Sequence, residues 1–229
     1  MFLRIGHRGA RAHETENTLE SFQKAIASGA NAVELDVRRS RDNQLIVSHD
    51  DNLKRVFGVD LPIRASTLEE LKHATGNRLP TLQEALRFID GKVEKILVEL
   101  KESGHEKKVL DLVRKEKLAD RVIVVSFLIE ALSNIRKLDG KIETGLIYAK
   151  FRNPVEAALD LQAQYVLPLY RFVHAKDVAQ AHKNNLKMIV WTINTKEDIK
   201  KYIAKGVDGI ATDRPDIFPP PLLKRESQA

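Results

Sequence analysis

Charged residues interrupt two apolar stretches of this sequence at a regular spacing. In the first stretch Glu34 and Asp36 alternate with apolar neighbours, and in the second Glu99 and Lys101 do the same. Because successive side chains of a β-strand point to opposite faces, each charged pair is expected to share one face of its strand. Both pairs stand toward the carboxyl end of their stretch, where ligands bind in parallel α/β folds. The spacing therefore predicts that three carboxylates and a lysine converge at one edge of a sheet.

Three carboxylates at such close range repel one another unless a cation lies between them. The chain contains no cysteine, and oxygen ligands favour Mg²⁺, Ca²⁺ or Mn²⁺ over zinc. As an alternative, Glu34 or Glu99 forms a buried ion pair with Lys101 or with an arginine. That alternative explains one carboxylate but not three at corresponding strand ends. We therefore expect Glu34, Asp36 and Glu99 to bind one divalent metal ion.

Two histidines stand at strand ends and are candidates for proton transfer. His7 follows the first apolar run of the chain, and His49 ends a later run beside Asp50. Imidazole titrates close to neutral pH, and two histidines beside acids are typical of an acid–base pair. The other histidines fall in predicted loops or on helix faces and are interpreted as structural: His13, His73, His105, His174 and His182.

Short apolar runs alternate with longer amphipathic stretches along the whole chain. Strands this apolar, each followed by a helix, indicate a parallel sheet that is buried on both faces. If residues 45–48 extend the second strand, the chain has eight strand–helix units of about 29 residues, near the minimum for a closed (β/α)8 barrel. A doubly wound open sheet gives the same alternation, so both folds remain possible on this pattern alone. The predicted strands are residues 3–6, 32–37, 95–100, 122–126, 143–147, 165–168, 187–192 and 209–212.

The amphipathic stretches predict helices between these strands. Asn17, with Glu20 three residues later, has the pattern of a helix N-cap and its reciprocal partner. Gly29 and Gly206 stand where a helix commonly ends in a left-handed residue. The prolines at 219–221 are expected to shorten the last helix. The predicted helices are residues 18–28, 106–117, 129–138, 154–164, 175–185 and 195–205, with a short helix at 67–73 inside an irregular loop or insertion at 50–80.

The composition excludes several classes of protein. The chain has 229 residues, of which 43% are hydrophobic, and a single domain over residues 1–229 is expected. No apolar run is long enough to span a membrane, and no signal peptide precedes the first strand, so we expect a cytoplasmic protein. The net charge is +6, but the basic residues are mixed with acids and have no aromatic residues between them. This pattern disfavours nucleic acid as a partner.

Seven ordered motifs of the chain resemble those of the glycerophosphodiester phosphodiesterase family. The resemblance extends from residue 5 to about residue 216, and seven motifs in one order are far more specific than any one of them. It implies a TIM barrel rather than an open sheet. It also implies hydrolysis of glycerophosphodiesters, such as glycerophosphocholine or glycerophosphoethanolamine, to glycerol 3-phosphate and an alcohol with a divalent metal. The motifs are His7-Arg8-Gly9, Glu16-Asn17-Thr18, Glu34-x-Asp36, His49-Asp50, Glu99-Leu100-Lys101, Trp191-Thr192-Ile193-Asn194 and the run from Gly206 to Pro215.

The resemblance implies a role for each matching residue, and the physical chemistry agrees. A phosphodiester is an anion, so cations must neutralise its oxygens before a nucleophile can attack. Asp50 favours the protonated form of His49, which points to His49 as the proton donor to the leaving group. The resemblance implies that Glu34, Asp36 and Glu99 bind the metal, with Mg²⁺ or Ca²⁺ expected and Mn²⁺ as an alternative. It implies acid–base catalysis for His7 and His49 and phosphate binding for Arg8 and Lys101. Trp191 is implied to line the wall of the pocket.

Other motif residues have structural explanations. Glu16 and Asn17 are explained equally well as caps of the first helix. Thr212 and Asp213 end the last predicted strand before Pro215, and we interpret them as residues that shape a turn. These four residues are therefore not included in the predicted site.

The sequence departs from the family pattern around residues 50–80. Thr15 stands where a proline usually precedes the second motif, and the residues after Asp50 lack the usual threonines. In the family this region shapes the entrance for the leaving alcohol, so the resemblance does not imply a head group. One rival is a lysophospholipase D-like enzyme, which needs an exposed apolar rim. The others are a metabolite-binding barrel without catalysis and a metal-dependent aldolase or isomerase barrel.

Overall fold

Buried strands and amphipathic helices alternate in the computed structural model, which describes residues 1–219. Each strand is apolar enough to be buried on both faces, and each long helix turns an apolar stripe toward the sheet. The strands are β1 (Leu3–Gly6), β2 (Ala32–Arg39), β3 (Leu45–Val47), β4 (Lys95–Leu100), β5 (Val122–Ser126), β6 (Glu143–Tyr148), β7 (Tyr165–Pro168), β8 (Lys187–Val190) and β9 (Gly209–Thr212). The helices are α1 (Leu19–Ala27), α2 (Lys54–Phe57), α3 (Leu68–Ala74), α4 (Leu82–Ile89), α5 (Glu106–Lys115), α6 (Ile129–Leu138), α7 (Pro154–Asp160), α8 (Ala175–Lys183) and α9 (Lys196–Ala204).

β1 closes the sheet because it pairs with strands from both ends of the sequence. It lies parallel to β2, with Ile5 opposite Ala32, and parallel to β9, with Leu3 opposite Gly209. The other parallel neighbours follow in the order β2, β4, β5, β6, β7, β8 and β9. A doubly wound sheet has two free edges, and this ring of parallel strands has none. The predicted eight-stranded (β/α)8 barrel is therefore confirmed.

Alternation along each strand separates the inside of the barrel from the layer beneath the helices. In β2, Val33, Leu35 and Val37 belong to the core between barrel and helices. Glu34 and Asp36 have the opposite parity and therefore face the inside, as the spacing predicts. The apolar residues inside the barrel are Leu3, Ile5, Ala32, Leu97, Ile123, Val125, Ile147, Tyr165, Leu167, Ile189 and Ala211. These residues form a packed floor beneath the charged residues.

The run that begins at Leu45 forms a separate strand, so its prediction as an extension of the second strand is wrong. β3 pairs antiparallel with β2 and lies outside the parallel ring. Between the two strands the chain reverses in a tight turn, in which Asn43 adopts a left-handed backbone (φ 61°) and the Ser40 hydroxyl accepts a hydrogen bond from the Gln44 amide (2.8 Å). The alternation of side chains between the two faces is the same whether a strand continues or the chain turns back into a second strand, so the sequence pattern does not distinguish the two. The reversal returns His49 to the end of β2.

Residues 50–80, named the insertion below, have a small core of their own. The insertion contains α2, α3 and one turn of 3₁₀ helix at Ile63–Ala65. Thr67, the first residue of the predicted short helix, is the N-cap of α3, and its hydroxyl accepts a hydrogen bond from the Glu70 amide (3.3 Å). The buried residues of this small core are Ile46, Leu53, Ile63, Leu71 and Leu79. The insertion is therefore packed against β3 rather than being an extended loop.

The start of α1 differs from its prediction. Thr18, rather than Asn17, is the N-cap, and its hydroxyl accepts a hydrogen bond from the first turn of the helix. The predicted cap at Asn17 with Glu20 is therefore wrong, because Asn17 adopts a left-handed backbone (φ 58°) that precedes the cap. Gly29 and Gly206 follow α1 and α9 with φ values of 89° and 86°, as predicted for residues that end a helix.

Three further helical segments differ from their predictions. No helix was predicted at the position of α4, although Thr81 and Glu84 form a capping box at its start. α7 is shorter than predicted because Gln162 adopts a left-handed backbone (φ 52°) soon after Asp160. A turn of 3₁₀ helix at Pro215–Ile217 follows β9, and the prolines at 220 and 221, which were expected to shorten the last helix, lie outside the described residues. None of the helices in residues 1–219 is long and apolar enough to cross a membrane.

Candidate active site

β2 and β4 bring the three predicted carboxylates together. The two strands are neighbours in the barrel, and Asp36 lies opposite Glu99 in their register. Glu34 precedes Asp36 by two residues and so shares its face. All three side chains are buried, and one carboxylate oxygen of each lies within 4.8 Å of the others. These three residues are named the carboxylate cluster below.

Two cations border the carboxylate cluster. The Nζ atom of Lys101 lies 2.6 Å from Oε1 of Glu99 and 3.5 Å from Oδ1 of Asp36. The Nε atom of Arg8 lies 3.2 Å from Oδ2 of Asp36, and the Arg8 amide donates to Oε2 of Glu34 (2.8 Å). Glu99 thus has the ion pair that the alternative interpretation expects, whereas Glu34 pairs with no cationic side chain in residues 1–219; these contacts support the alternative for Glu99 only. They still leave Oε1 of Glu34 and Oδ1 of Asp36 buried without a hydrogen-bond donor.

The charges in the carboxylate cluster do not balance. Burial, together with repulsion from Asp36 and Glu99, raises the pKa of Glu34 well above its ordinary value. Burial and the charge of Asp36 likewise raise the pKa of Glu99 to about 7. Burial acts on Asp36 in the same direction, but Arg8 and Lys101 outweigh it, so the pKa of Asp36 is lowered. Two cations do not neutralise three buried carboxylates, which is the condition that favours a further cation.

Two residues of the loop after β1 adopt a left-handed backbone close to the cluster. These are Arg8, with φ 53°, and Asn17, with φ 58°. The side-chain amide of Asn17 donates to Oδ2 of Asp36 (2.8 Å). A left-handed backbone costs most residues other than glycine and asparagine about 1 kcal/mol or more, so at Arg8 it persists because the surroundings fix it. Asn17 therefore orients Asp36 and is not the helix cap that the sequence pattern suggests.

Each predicted catalytic histidine has a carboxylate partner on the same ring nitrogen. Nδ1 of His49 lies 2.7 Å from Oδ1 of Asp50, and Nδ1 of His7 lies 2.7 Å from Oδ1 of Asp213. An ionised carboxylate only accepts hydrogen bonds, so we assign the proton to Nδ1 in both pairs. Nε2 then accepts a proton when the ring is neutral and donates one when it is charged. Each pair is chemically able to act as an acid or as a base.

Asp213 reaches His7 because β1 and β9 are neighbours. Gly6 lies opposite Thr212 in their register, so the residues that follow these strands meet although 206 positions separate them. The side-chain amide of Asn194 donates to the other oxygen of Asp213 (2.8 Å). The interpretation of Asp213 as a turn residue misses this contact. The available signal is its place at the carboxyl end of the last strand, because the other polar site residues also lie toward the carboxyl ends of strands.

The surroundings of His49 favour its neutral form. Burial lowers the pKa of His49 and outweighs Asp36 and Asp50, which both raise it. The contact with Asp50, on which the prediction of His49 as the proton donor rests, is present. Its effect on the pKa of His49 is smaller than the effect of burial. Arg55 of the insertion donates from Nε to Oδ2 of Asp50 (2.5 Å). This hydrogen bond and the one with His49 lower the pKa of Asp50 to about 2, so Asp50 is ionised at neutral pH.

Glu16 joins the insertion to the loop after β1. Its buried carboxylate accepts hydrogen bonds from Nη1 of Arg8 (2.9 Å) and from both terminal nitrogens of Arg55 (2.7 and 2.9 Å). Nε of Arg11 lies 2.9 Å from the same carboxylate. Burial opposes ionisation of Glu16, but these arginines outweigh it and lower its pKa. Glu16 thus links the predicted phosphate residue Arg8 to the insertion, and it is not the helix cap considered for it, because Thr18 caps α1.

Trp191 and Phe127 form an apolar wall beside Lys101. Trp191 follows β8, packs against the apolar residues inside the barrel and donates from Nε1 to the carbonyl oxygen of Leu167 (2.7 Å). Phe127 follows β5 and stands perpendicular to Trp191, with their ring centroids 5.6 Å apart. Nζ of Lys101 lies 5.9 Å from the centroid of the Phe127 ring. Phe127 is absent from the predicted site because a single apolar residue after a strand does not indicate a functional role in the sequence.

Comparisons with known sequences identify one family. The sequence model of the glycerophosphoryl diester phosphodiesterase family matches residues 7–217. A glycerophosphodiester phosphodiesterase of Caldanaerobacter subterraneus is 32% identical over 228 residues, which cover 93% of this chain and 94% of the relative. A glycerophosphodiester phosphodiesterase of Bacillus altitudinis is 31% identical over 231 residues, with 93% and 94% of the two chains covered.

Solved structures show the same similarity. The glycerophosphodiester phosphodiesterase of Thermotoga maritima is 33% identical, has a TM-score of 0.82 and covers 95% of this chain and 97% of its own. A phosphodiesterase of Oleispira antarctica, solved in complex with the product sn-glycerol-3-phosphate, is 26% identical, with a TM-score of 0.85 and 93% of each chain covered. The family match includes every residue of the carboxylate cluster and both histidine–aspartate pairs. The chain belongs to the glycerophosphoryl diester phosphodiesterase family and is an enzyme that hydrolyses glycerophosphodiesters.

Proposed function

We propose that the enzyme converts glycerophosphodiesters to glycerol 3-phosphate and an alcohol, with one divalent metal ion at the carboxylate cluster and with His7 and His49 as the proton-transfer pair. The observation that carries this proposal is the convergence of three buried carboxylates beside two cations. Two histidine–aspartate pairs stand at the same end of the barrel. This set provides the charge and the proton transfer that phosphodiester hydrolysis needs.

The residues of the carboxylate cluster fit a hard divalent cation. Glu34, Asp36 and Glu99 offer only oxygen ligands, which suit Mg²⁺, Ca²⁺ or Mn²⁺. Oε1 of Glu34 has no hydrogen-bond donor, and Oδ1 of Asp36 has only the Lys101 ammonium at 3.5 Å, whereas buried polar atoms generally have a hydrogen-bond partner. When bound, such an ion supplies positive charge against the oxygens of the phosphodiester as negative charge develops on them. Glu99 would serve both the ion and Lys101, whose Nζ lies 2.6 Å from Oε1.

Arg8 and Lys101 bind the phosphate in our proposal. The guanidinium of Arg8 is planar and grips two oxygens at once, whereas the ammonium of Lys101 acts as a point charge. Glu16 and Asp36 hold Arg8 at 2.9 and 3.2 Å before any substrate arrives. A cation fixed in advance loses little freedom on binding, so more of its interaction energy stabilises the transition state. Trp191 and Phe127 then form the wall against which the carbon atoms of the substrate pack.

His7 and His49 divide the proton transfers between them. One takes the proton from the attacking hydroxyl, and the other gives a proton to the departing alkoxide oxygen. Asp213 and Asp50 hold the rings by Nδ1, which leaves Nε2 for the substrate in each case. The same base serves whether the attacking hydroxyl belongs to water or to the glycerol of the substrate. Because the imidazole rings are held in place, little conformational freedom is lost when they reach the geometry needed for proton transfer.

A substrate panel tests this proposal. Metal-free protein is incubated with glycerophosphocholine, glycerophosphoethanolamine and glycerophosphoglycerol, and glycerol 3-phosphate is measured before and after addition of Mg²⁺, Mn²⁺ or Ca²⁺. We expect product only after a metal is added, and we expect Glu34→Gln to need a higher metal concentration. Hydrolysis that yields a different phosphate product, or no hydrolysis of any diester with any metal, contradicts the proposal.

An exposed apolar segment favours lysophospholipids as a second class of substrate. Phe127, Leu128 and Ile129 follow β5 and are 45%, 38% and 44% exposed. Phe57 of α2, one of the apolar residues of the insertion, packs against the insertion core instead. An acyl chain covers exposed apolar surface of this kind. Release of choline from lysophosphatidylcholine, reduced selectively by Phe127→Ala, supports this candidate, and no release of choline eliminates it.

A further inference from the structure

We propose that Arg55 is a positioning residue for His49: Glu16 anchors Arg55, Arg55 holds Asp50, and Asp50 holds His49. The inference rests on the proposed role of His49 in proton transfer. Arg55 belongs to α2 of the insertion, outside the barrel, and its contacts reach residues that follow two different strands. It acts through these residues rather than on the substrate.

The guanidinium of Arg55 uses all three of its nitrogen atoms. Nε donates to Oδ2 of Asp50 (2.5 Å), while Nη1 and Nη2 donate to the two oxygens of Glu16 (2.9 and 2.7 Å). The Glu16 side chain is only 6% exposed and the Asp50 side chain 24% exposed. A rigid fork bound to two carboxylates fixes the plane of each, which a flexible ammonium group cannot do. Arg55 thereby sets the orientation of Asp50 relative to the buried Glu16.

These contacts complete a chain of alternating charges from the carboxylate cluster to His49. Every link in the chain is between 2.5 and 3.2 Å long. Its members, in order, are Asp36, Arg8, Glu16, Arg55, Asp50 and His49. Without Arg55 the chain divides into two parts. Glu16 keeps Arg8 and Arg11, whereas the Asp50 carboxylate keeps His49 as its one side-chain partner among residues 1–219.

The orientation of the Asp50 carboxylate affects His49 because its two oxygens accept hydrogen bonds from different residues. Oδ1 receives the proton-bearing Nδ1 of His49, and Oδ2 receives Arg55. If Oδ2 loses its donor, the carboxylate is free to rotate, and the contact that keeps the proton on Nδ1 weakens. Outer contacts of this type typically change activity by about 10- to 100-fold when they are removed. We therefore expect Arg55 to control both the tautomer of the His49 ring and the turnover of the enzyme.

A double-mutant cycle separates positioning from a general loss of structure. We expect Arg55→Gln to lower kcat on glycerophosphocholine by about 10- to 100-fold, but by less than about threefold when Asp50→Asn is already present. Arg55→Lys should behave like Arg55→Gln, because lysine does not bridge both carboxylates. Lys54→Gln is the matched control: Lys54 is the neighbouring residue of α2, bonds Asp60 (3.1 Å) and should leave kcat unchanged. Equal losses in both backgrounds, or full activity in Arg55→Lys, overturn the inference.

A spectroscopic measurement tests Arg55 without reference to catalysis. Long-range ¹H–¹⁵N correlation spectra report which ring nitrogen of His49 carries the proton. We expect the Nδ1-protonated ring in the wild-type protein and in Lys54→Gln, and a larger share of the other tautomer in Arg55→Gln. An unchanged His49 spectrum in Arg55→Gln overturns the positioning role. Wild-type kcat in His49→Ala instead overturns the proposed function and leaves the tautomer result standing, so the two failures are distinguishable.

Discussion

His7 and His49 share one geometry at Nδ1 but differ in what fixes their carboxylates. Asn194 donates to Asp213 at 2.8 Å, with the Arg11 guanidinium farther away at 3.9 Å, whereas the Arg55 guanidinium donates directly to Asp50 at 2.5 Å. Burial also lowers the pKa of His49. Two rings with different surroundings are suited to different proton transfers, as pairs of titratable groups in active sites commonly are.

The first prediction separates the two histidines by leaving group. A histidine that only protonates the departing alkoxide is needed most when the alcohol is a poor leaving group, such as choline. Each acid–base role is worth about 10²–10⁴-fold in rate. We expect one of His7→Ala and His49→Ala to be rescued by a p-nitrophenyl diester, whose leaving group needs no proton, while the other stays slow. Initial rates on both substrates provide the measurement, and equal losses on both refute the division of roles.

The second prediction concerns the fork of Arg8. Lysine keeps the charge, but one nitrogen cannot contact Glu16, Asp36 and the phosphate together. Arg8→Lys should therefore lower kcat/KM by at least about tenfold. Arg11→Lys is the comparison, because Arg11 bonds the same Glu16 carboxylate from a more exposed position, and it should cost less than about threefold. Wild-type kinetics for Arg8→Lys would remove Arg8 from the phosphate site.

The third prediction concerns Asp213, which the sequence pattern places in a turn. Asp213→Asn keeps the shape of the side chain but removes the charge that holds His7, and kcat should fall about 10- to 100-fold. Asp216→Asn is the matched control, because Asp216 pairs with His13 (2.6 Å) away from the carboxylate cluster. Steady-state kinetics and thermal unfolding of both variants give the answer. A loss of kcat as large in Asp216→Asn as in Asp213→Asn would show a general effect rather than a role at His7.

At this scale, the sequence predicts the charged residues and histidines within or directly after β1 to β4, but it misses the partners that support them, including Asp213 directly after β9. The carboxylate cluster was predictable because period two fixes the face and the strand end fixes the position. The contacts of Arg55 and Asp213 depend on which loops meet in space. The Arg55–Glu16 contact joins residues 39 positions apart, and the His7–Asp213 contact joins residues 206 apart. Local patterns contain no information on such contacts.

At the scale of elements, apolar runs located the barrel strands closely, because a strand buried on both faces consists almost entirely of apolar residues. β1, β4, β5, β7 and β9 have the predicted bounds. The start of α1 and the end of α7 differ from their predictions, and the largest failures flank the insertion, where β3 turns back on β2 and α4 was not predicted. There the direction of the chain depends on single turn residues such as Asn43 rather than on a long pattern.

The fourth prediction tests how tightly the loop after β1 packs on α1. Gly9 has φ 84°, and a Cβ atom there would lie 2.3 Å from Oγ of Ser21 and 2.6 Å from its carbonyl carbon. Gly9→Ala should therefore lower the free energy of unfolding by about 2–4 kcal/mol. Gly29 has φ 89° with no atom within 4 Å of the added Cβ, so Gly29→Ala should cost only about 1 kcal/mol. Urea unfolding of both variants provides the comparison, and similar losses would contradict the close packing at Gly9.

At the scale of the whole molecule, the barrel serves to bring distant loops to one mouth. The carboxylate cluster lies within β2 and β4, the other site residues follow β1, β3, β4, β5, β8 and β9, and the insertion adds Arg55 from outside the ring. The apolar residues inside the barrel support the charged ones from below. This division is typical of (β/α)8 enzymes, in which strand ends carry function and the rest of the barrel carries stability. The loss of one site residue should therefore affect activity more than folding.

The most direct test of the metal's role at the carboxylate cluster is a calorimetric titration of metal-free protein with Mn²⁺, with glycerol 3-phosphate formation from glycerophosphocholine measured on the same samples. We predict one ion per chain, turnover that rises in proportion to occupancy, and at least about tenfold weaker binding in Glu34→Gln, which lacks one of the three buried carboxylates. Wild-type turnover in protein shown by elemental analysis to contain no metal would contradict the account.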